Sequence, residues 1–91
     1  MNKYSLIITE RFEKQFKKLD VSVQRTIKKW IDKHLLAADA DPRDFGKGLS
    51  GNKKGYWRYR IGDYRLLCEI LDRELVIIAI TVDHRSVIYK K

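Results

Sequence analysis

Ninety-one residues with 44% hydrophobic and 35% charged side chains fit a single globular domain, residues 1–91; the composition excludes a disordered chain and the length excludes two independent cores. Lys and Arg number 20 against 12 Asp and Glu, a net charge of +8, and a basic field of that size favours phosphate backbones, anionic membranes or an acidic protein partner. The apolar run within MNKYSLIITERF is short and soon followed by charges, so neither a secretory signal nor a membrane span is expected and the expected location is cytoplasmic.

Tyr4 to Thr9 is short, β-branched and bounded by polar residues, the pattern of a first strand. Thr9 offers an oxygen to cap a helix starting at Glu10, whose carboxylate suits the positive end of the helix dipole. Phe12, Phe16 and Leu19 at i, i+4 and i+7 form its apolar stripe, opposite Lys14, Lys17 and Lys18. Asp20 or Ser22 can cap a longer second helix in which Val23, Ile27, Trp30, Ile31 and Leu35 make a stripe wide enough to cover a sheet. Arg25, Lys28, Lys29, Asp32 and Lys33 form its solvated face, and His34 falls near that side as an exposed residue with no catalytic duty.

From Ala38 to Lys54 the pattern becomes ADADPRDFGKGLSGNKK, punctuated by Pro42, Gly46, Gly48 and Gly51 without periodicity, which predicts a long loop. Such loops in compact domains often carry function, so Lys47, Lys53 and Lys54 are candidates to extend the basic surface, and would be RNA-binding residues under the family resemblance given below, with Phe45 and Leu49 anchoring the loop to the body.

Residues 55–71, GYWRYRIGDYRLLCEIL, predict a hairpin. Trp57, Tyr59 and Ile61 point to one side of its first strand while Arg58 and Arg60 point to the other. Gly62-Asp63 supplies a two-residue II′ turn, and on the return Tyr64, Leu66, Cys68 and Ile70 share one face, Arg65, Leu67, Glu69 and Leu71 the other. If the apolar sides meet one core, Arg58, Arg60 and Arg65 share the open surface. Cys68, the single cysteine, excludes a disulfide framework and is a small core residue. After a turn at Asp72-Arg73-Glu74, Leu75 to Val82 is apolar almost throughout and predicts a strand buried on both faces, hence central. The first strand pairs beside it in parallel by a right-handed crossover. The order β-α-α-β-β-β is an α+β fold: a small, mostly antiparallel four-stranded sheet with two N-terminal helices packed on one face. The tail, DHRSVIYKK, lies just past the central strand, where it can meet the open face.

The chain has no Cys/His pair at ligand spacing, no glycine-rich phosphate loop after a strand, no HExxH and no serine nucleophile elbow, so neither metal nor cofactor is expected. Arg58, Arg60, Arg65, His84, Arg85 and Tyr89 remain, and they suit gripping a phosphodiester and stabilising the charge that grows on it. His84 is the one side chain of this set whose type, imidazole, moves protons near neutrality. Tyr89 could orient a base by stacking, as single-stranded RNA bases stack on tyrosine and arginine planes, or simply dock the tail. Exposed arginines can do no more than keep a face wet; the convergence of hairpin and tail raises these above that.

LSGNKKGYWRYRIGDYRLLCEI, followed by an apolar strand and VDHRSVIY, resembles the RelE family of bacterial toxins, in the RelE/ParE superfamily of type II toxin-antitoxin systems. The resemblance covers nearly the whole chain, with the WRxRxGDYR hairpin and HRxxxY tail its most diagnostic parts. It implies a RelE-like fold and a ribosome-dependent endoribonuclease, an mRNA interferase that cuts messages in the ribosomal A site. A ribose 2′-hydroxyl would attack the adjacent phosphodiester, leaving a 2′,3′-cyclic phosphate and a 5′-hydroxyl without a metal. The resemblance puts Arg65 and Arg58 on the scissile phosphate, Arg85 near the leaving oxygen and Tyr89 against the displaced base. Arg58 and Arg60 match positions that are lysines in some relatives, one assigned there as general base; arginine is a much worse base, which makes His84 the first candidate for proton transfer. The implied partners are a RelB-like antitoxin presenting an acidic or amphipathic segment, the 70S ribosome and mRNA, operator DNA only through the antitoxin complex, and no membrane. Two readings stay open: a ParE-like DNA gyrase poison, whose relatives generally lack the tail arginine and tyrosine kept here as Arg85 and Tyr89, and a non-catalytic nucleic-acid-binding module.

Overall fold

The computed structural model describes residues 3–49 and 55–86. A first strand, β1 (Ser5–Ile8), leads into helices α1 (Glu10–Lys17) and α2 (Val21–Ile31), and α2 widens into one π-helical turn (Asp32–Leu36). Four more strands follow: β2 (Lys47–Gly48), β3 (Tyr56–Ile61), β4 (Tyr64–Leu71) and β5 (Val76–His84). The expected Thr9 cap forms, its hydroxyl oxygen accepting from the Phe12 amide at 3.1 Å while its O–H donates to the Ile80 carbonyl at 3.0 Å, so the start of α1 is tied to β5. Asp20 takes the cap position of α2 without a side-chain hydrogen bond.

The strands lie in the order β1-β5-β4-β3-β2, with β1 parallel to β5 and every other neighbour antiparallel. The expected strands, helices and parallel crossover are present, and β2 is an addition. It lies inside the stretch expected to be an irregular loop and pairs with β3, Lys47 opposite Arg58 and Gly48 opposite Trp57. Two residues are too few to show a period. Gly48 fits because the Trp57 ring covers it: a Cβ there would come within 2.7 Å of Trp57 Cζ3. With a fifth strand at that edge the middle of the sheet is β4, whereas the apolar strand expected to be central, β5, is one place off it.

The core lies between the helices and one sheet face, where Phe12, Ile27, Ile31 and Leu35 pack on Tyr59, Leu66, Cys68, Ile77, Ala79 and Val82. Each fully buried large apolar side chain contributes about 1.5–3 kcal/mol. β5 keeps its contribution only by bulging. Leu66 faces Val82 and Leu67 faces Thr81, but Cys68 faces Ala79, leaving Ile80 as the extra residue. Ala79 and Val82 therefore both reach the core. Pairing with β1 stops at Ala79; past that point Gln15 of α1 covers the edge, accepting from the Val82 amide at 2.8 Å and donating to Asp83 Oδ1 at 3.2 Å.

The segment between the π turn and β2 is held at several points. The Tyr59 hydroxyl donates to the Pro42 carbonyl and Trp57 Nε1 to the Phe45 carbonyl, both at 2.6 Å. Arg43 grips Asp72 through both carboxylate oxygens, at 2.8 and 3.0 Å, and the Tyr4 hydroxyl donates to the same carboxylate. Arg43 and Tyr4 together hold the Asp72 carboxyl below its ordinary pKa. Phe45 anchors the segment as expected, and His34, expected to be exposed, is instead half-buried, its ring 4.9 Å from that of Trp30 and 4.5 Å from that of Phe45. Among the described residues no helix is long and apolar enough to cross a membrane.

Candidate functional site

Alternation along β3 buries Tyr59 and Ile61 against the helices and leaves Arg58 and Arg60 exposed on the other sheet face. The β3–β4 turn has positive φ at Gly62 and not at Asp63, the II′ signature, so β4 folds straight back. Its register sets Arg65 directly across from Arg60, and Leu67 across from Arg58. Lys47 on β2 faces Arg58 from the other side. Two rows thus cross the open face: Lys47, Arg58, Leu67 and Thr81 in one, Arg60, Arg65 and Asp83 in the other.

Each row contains a like-charged pair directly opposite one another, Lys47 with Arg58 and Arg60 with Arg65. Such pairs destabilise a sheet by roughly 0.2–1 kcal/mol each, a cost that a bound anion would offset. Two adjoining concavities lie over the rows. One of about 390 Å³ is lined by Arg11, Leu49, Arg58, Arg65, Leu67, Thr81 and Asp83. The other, about 520 Å³, is lined by Gly46, Lys47, Arg58, Tyr59, Arg60 and Arg65. Arg58 and Arg65 form the wall between them. Planar guanidinium groups in that position can hold a phosphate by paired N–H···O bonds and keep their charge at any physiological pH.

The tail meets the hairpin through its backbone. Arg65 Nη2 donates to the Arg85 carbonyl, the Arg85 amide donates to the Asp63 carbonyl at 2.7 Å, and Arg85 Nε lies 3.4 Å from Asp63 Oδ1. The Arg85 side chain is thereby turned toward the β3–β4 turn, in an exposed ion pair that contributes little. His84 does not come to the arginine face. It lies opposite Tyr64 on the helix-facing side, with the rings edge to face at 5.1 Å, and Nδ1 accepts from the Ser86 amide at 3.0 Å. The bulge at Ile80 is the reason, because it sends Val82 and His84 to one side and Thr81 and Asp83 to the other. Sequence reasoning missed Asp83, Thr81 and Arg11. Alternation counted back from a buried Val82 would have found the first two; Arg11 belongs to the polar side of α1, and nothing in the helix pattern marks it. Lys53, Lys54 and Tyr89 lie outside the described residues.

A family model described as the ParE toxin of the type II toxin-antitoxin system, parDE, matches residues 6–89. The chain belongs to the ParE toxin family. It is thus a toxin of a type II toxin-antitoxin system, within the RelE/ParE superfamily. Among solved structures this ParE-family toxin is similar to the toxin-antitoxin complex RelBE2 from Mycobacterium tuberculosis, with 26% identity over 96% of this chain and 97% of that one and a TM-score of 0.78. Isolated RelE toxin from E. coli shares 24% identity over 89% and 83% of the chains at a TM-score of 0.68. The archaeal RelE-RelB complex from Pyrococcus horikoshii shares 21% over 94% and 98% at 0.70. The latter two likenesses are of fold alone. No curated protein sequence matches.

Proposed function

We propose that this toxin is a ribosome-dependent endoribonuclease that cuts mRNA in the A site. The observation that carries the reading is the pair of like-charged cross-strand contacts on an open, concave sheet face, with Arg58 and Arg65 between two cavities. In this scheme the ribose 2′-oxygen attacks the adjacent phosphorus and the bond to the 5′-oxygen breaks, giving a 2′,3′-cyclic phosphate and a 5′-hydroxyl. Arg58 and Arg65 hold the non-bridging oxygens as negative charge grows on them, the kind of stabilisation that dominates where donors are already in place. Arg60 and Lys47 hold the neighbouring phosphate, Arg85 lies toward the leaving oxygen and Tyr89 against the displaced base. His84, facing the helices, is left out of the proton transfer. Alignment of the message by the ribosome supplies the orientation term, so free RNA is a poor substrate.

To test this, toxin is added to translating ribosomes and message ends are mapped. Cuts inside A-site codons are expected, and Arg65→Ala should slow them by about a hundredfold; undiminished cleavage in both Arg65→Ala and Arg58→Ala would refute the site. The match to a ParE model favours one second reading, a DNA gyrase poison. That reading gains if intoxicated cells accumulate double-strand DNA breaks while their messages stay intact.

The same reading supplies a partner, a cognate antitoxin with an acidic, amphipathic segment. Next to the cationic rows the open face presents Leu71, Ile78 and the exposed Ile7, which suits a segment carrying apolar residues on one side and carboxylates on the other. Copurification of a small acidic protein from the native host is the expected result.

A further inference from the structure

Pairing of β1 with β5 ends at Ile8 and Ala79, so beyond Ala79 the outer side of β5 is left to α1. The helix is anchored along it at two points. Thr9 donates to the Ile80 carbonyl at 3.0 Å, and Gln15 accepts from the Val82 amide at 2.8 Å and donates to Asp83 at 3.2 Å. Arg11 lies between these anchors, one turn before Gln15 and on the same side of α1. Its side chain reaches past the sheet edge to the cavity of about 390 Å³, which it lines together with Arg58, Arg65 and Thr81.

Two properties set Arg11 apart from an ordinary solvated cation. It stands in the first turn of α1, where the helix dipole favours anions; Glu10 and Glu13 of that turn follow the rule and Arg11 breaks it. It also lacks a counter-ion among the described residues, whose ion pairs are Lys17 with Glu13, Arg43 with Asp72 and Arg85 with Asp63. A third guanidinium on the wall that Arg58 and Arg65 already line adds to the like-charge crowding of the rows. An anion in the cavity relieves both the crowding and the unfavourable helix position.

We propose that Arg11 is a further substrate-binding residue of the toxin, holding the phosphate next to the scissile one on the β5 side of the sheet. Lys47 and Arg60 hold the neighbour on the β2 side, so the single strand crosses the face with a phosphate at each edge and one between Arg58 and Arg65. From β2 to β5 the sheet spans on the order of 14 Å, at about 4.8 Å per strand, which is room for three successive phosphates. A flanking phosphate carries the same charge before and during the reaction, so Arg11 strengthens binding without accelerating the chemical step. The contact rests on the RNA-cleaving reading, since it extends that site by one nucleotide.

The test is binding of a short, mixed-sequence 2′-O-methyl RNA, which cannot undergo 2′-oxygen attack, to the full chain by fluorescence anisotropy across a range of salt concentrations. Loss of one phosphate contact to a single strand should lower the slope of log affinity against log salt by about 0.7 in magnitude. Arg11→Ala should show that change with a several-fold loss of affinity, and Arg11→Lys, which keeps the charge, should recover the slope. Lys29→Ala removes one charge from the exposed side of α2, away from both cavities, and should leave the slope as it was. An unchanged slope in Arg11→Ala would overturn the contact, and so would an equal change in Lys29→Ala, which would mean that net charge alone is being read. On translating ribosomes Arg11→Ala should raise the toxin concentration for half-maximal cleavage while the maximal rate holds; a fall in maximal rate alone would also count against it. Cleavage by the unaltered toxin with no slope change in Arg11→Ala overturns the contact alone, while the slope change without any cleavage by the unaltered toxin supports the contact and overturns the nuclease.

Discussion

Tyr59→Phe removes one oxygen atom from the strand that carries Arg58 and Arg60, and its cost follows from the structure. Tyr59 is 1% exposed and its hydroxyl donates to the carbonyl of Pro42, itself buried, at 2.6 Å. Burial pushes the phenol well above its ordinary pKa, with a smaller contribution from Cys68, so the hydroxyl keeps its proton and donates near neutral pH. Phenylalanine keeps the ring, including its contact with Trp30 at 5.4 Å between centroids, but orphans the Pro42 carbonyl away from water. That cost is about 2 kcal/mol, and at roughly 4–8 °C per kcal/mol for a domain of this size the melting temperature should fall by about 10 °C. Urea denaturation followed by tryptophan fluorescence measures the free energy directly. A loss under about 0.5 kcal/mol would refute the claim that this bond holds the 37–46 segment on the sheet.

Gln15→Ala should uncover the β5 edge, costing about 1–2 kcal/mol, and amide exchange at Val82 should accelerate while exchange at Ile77 changes only with global stability. Gly46→Ala should be far worse than Gly55→Ala. Both glycines have positive φ, but a Cβ at Gly46 would collide with the Arg58 carbonyl and come within 2.8 Å of the Tyr59 ring, whereas at Gly55 nothing lies within 4 Å. Thermal melts should show a loss of about 1 kcal/mol at Gly55 and several times that at Gly46. Burial pushes the Cys68 thiol up to about 12. Between the unfolded thiol's pKa of about 8.5 and that value the unfolded chain has lost a proton that the folded chain keeps, so stability falls as pH rises, by up to about 1.4 kcal/mol per unit. Cys68→Ala should flatten that alkaline slope, and the native thiol should resist thiol reagents at pH 8.

Regular alternation was legible in the sequence, and so was everything that depends on it. Trp57 to Ile61 and Tyr64 to Leu71 repeat at a period of two, so the sharing of one face by Arg58, Arg60 and Arg65 could be read residue by residue. Thr9, followed by Glu10 and the Phe12–Phe16 spacing, likewise marked the start of α1. What failed to show were features made by single contacts between distant segments. β2 owes its existence to the pairing of Lys47 and Gly48 with Arg58 and Trp57. His34 is covered because Phe45, eleven residues later in the chain, folds back over it. The largest departure lies in β5, where Leu75 to Val82 is so uniformly apolar that no pattern reveals the residue looped out at Ile80. Counted strictly from Ala79, alternation assigns Asp83 to the core and His84 to the arginines, the reverse of the structure.

That bulge gives Ile80 the role of a parity bit. Whether the toxin's cationic rows meet a carboxylate or an imidazole is decided by whether one residue is looped out upstream, with no change in the identity of Asp83 or His84. Two chains of this fold could carry the same last strand letter for letter and still present opposite chemistry to a substrate. Residue roles near the end of β5 are therefore transferable between such chains only after the bulge has been located in each.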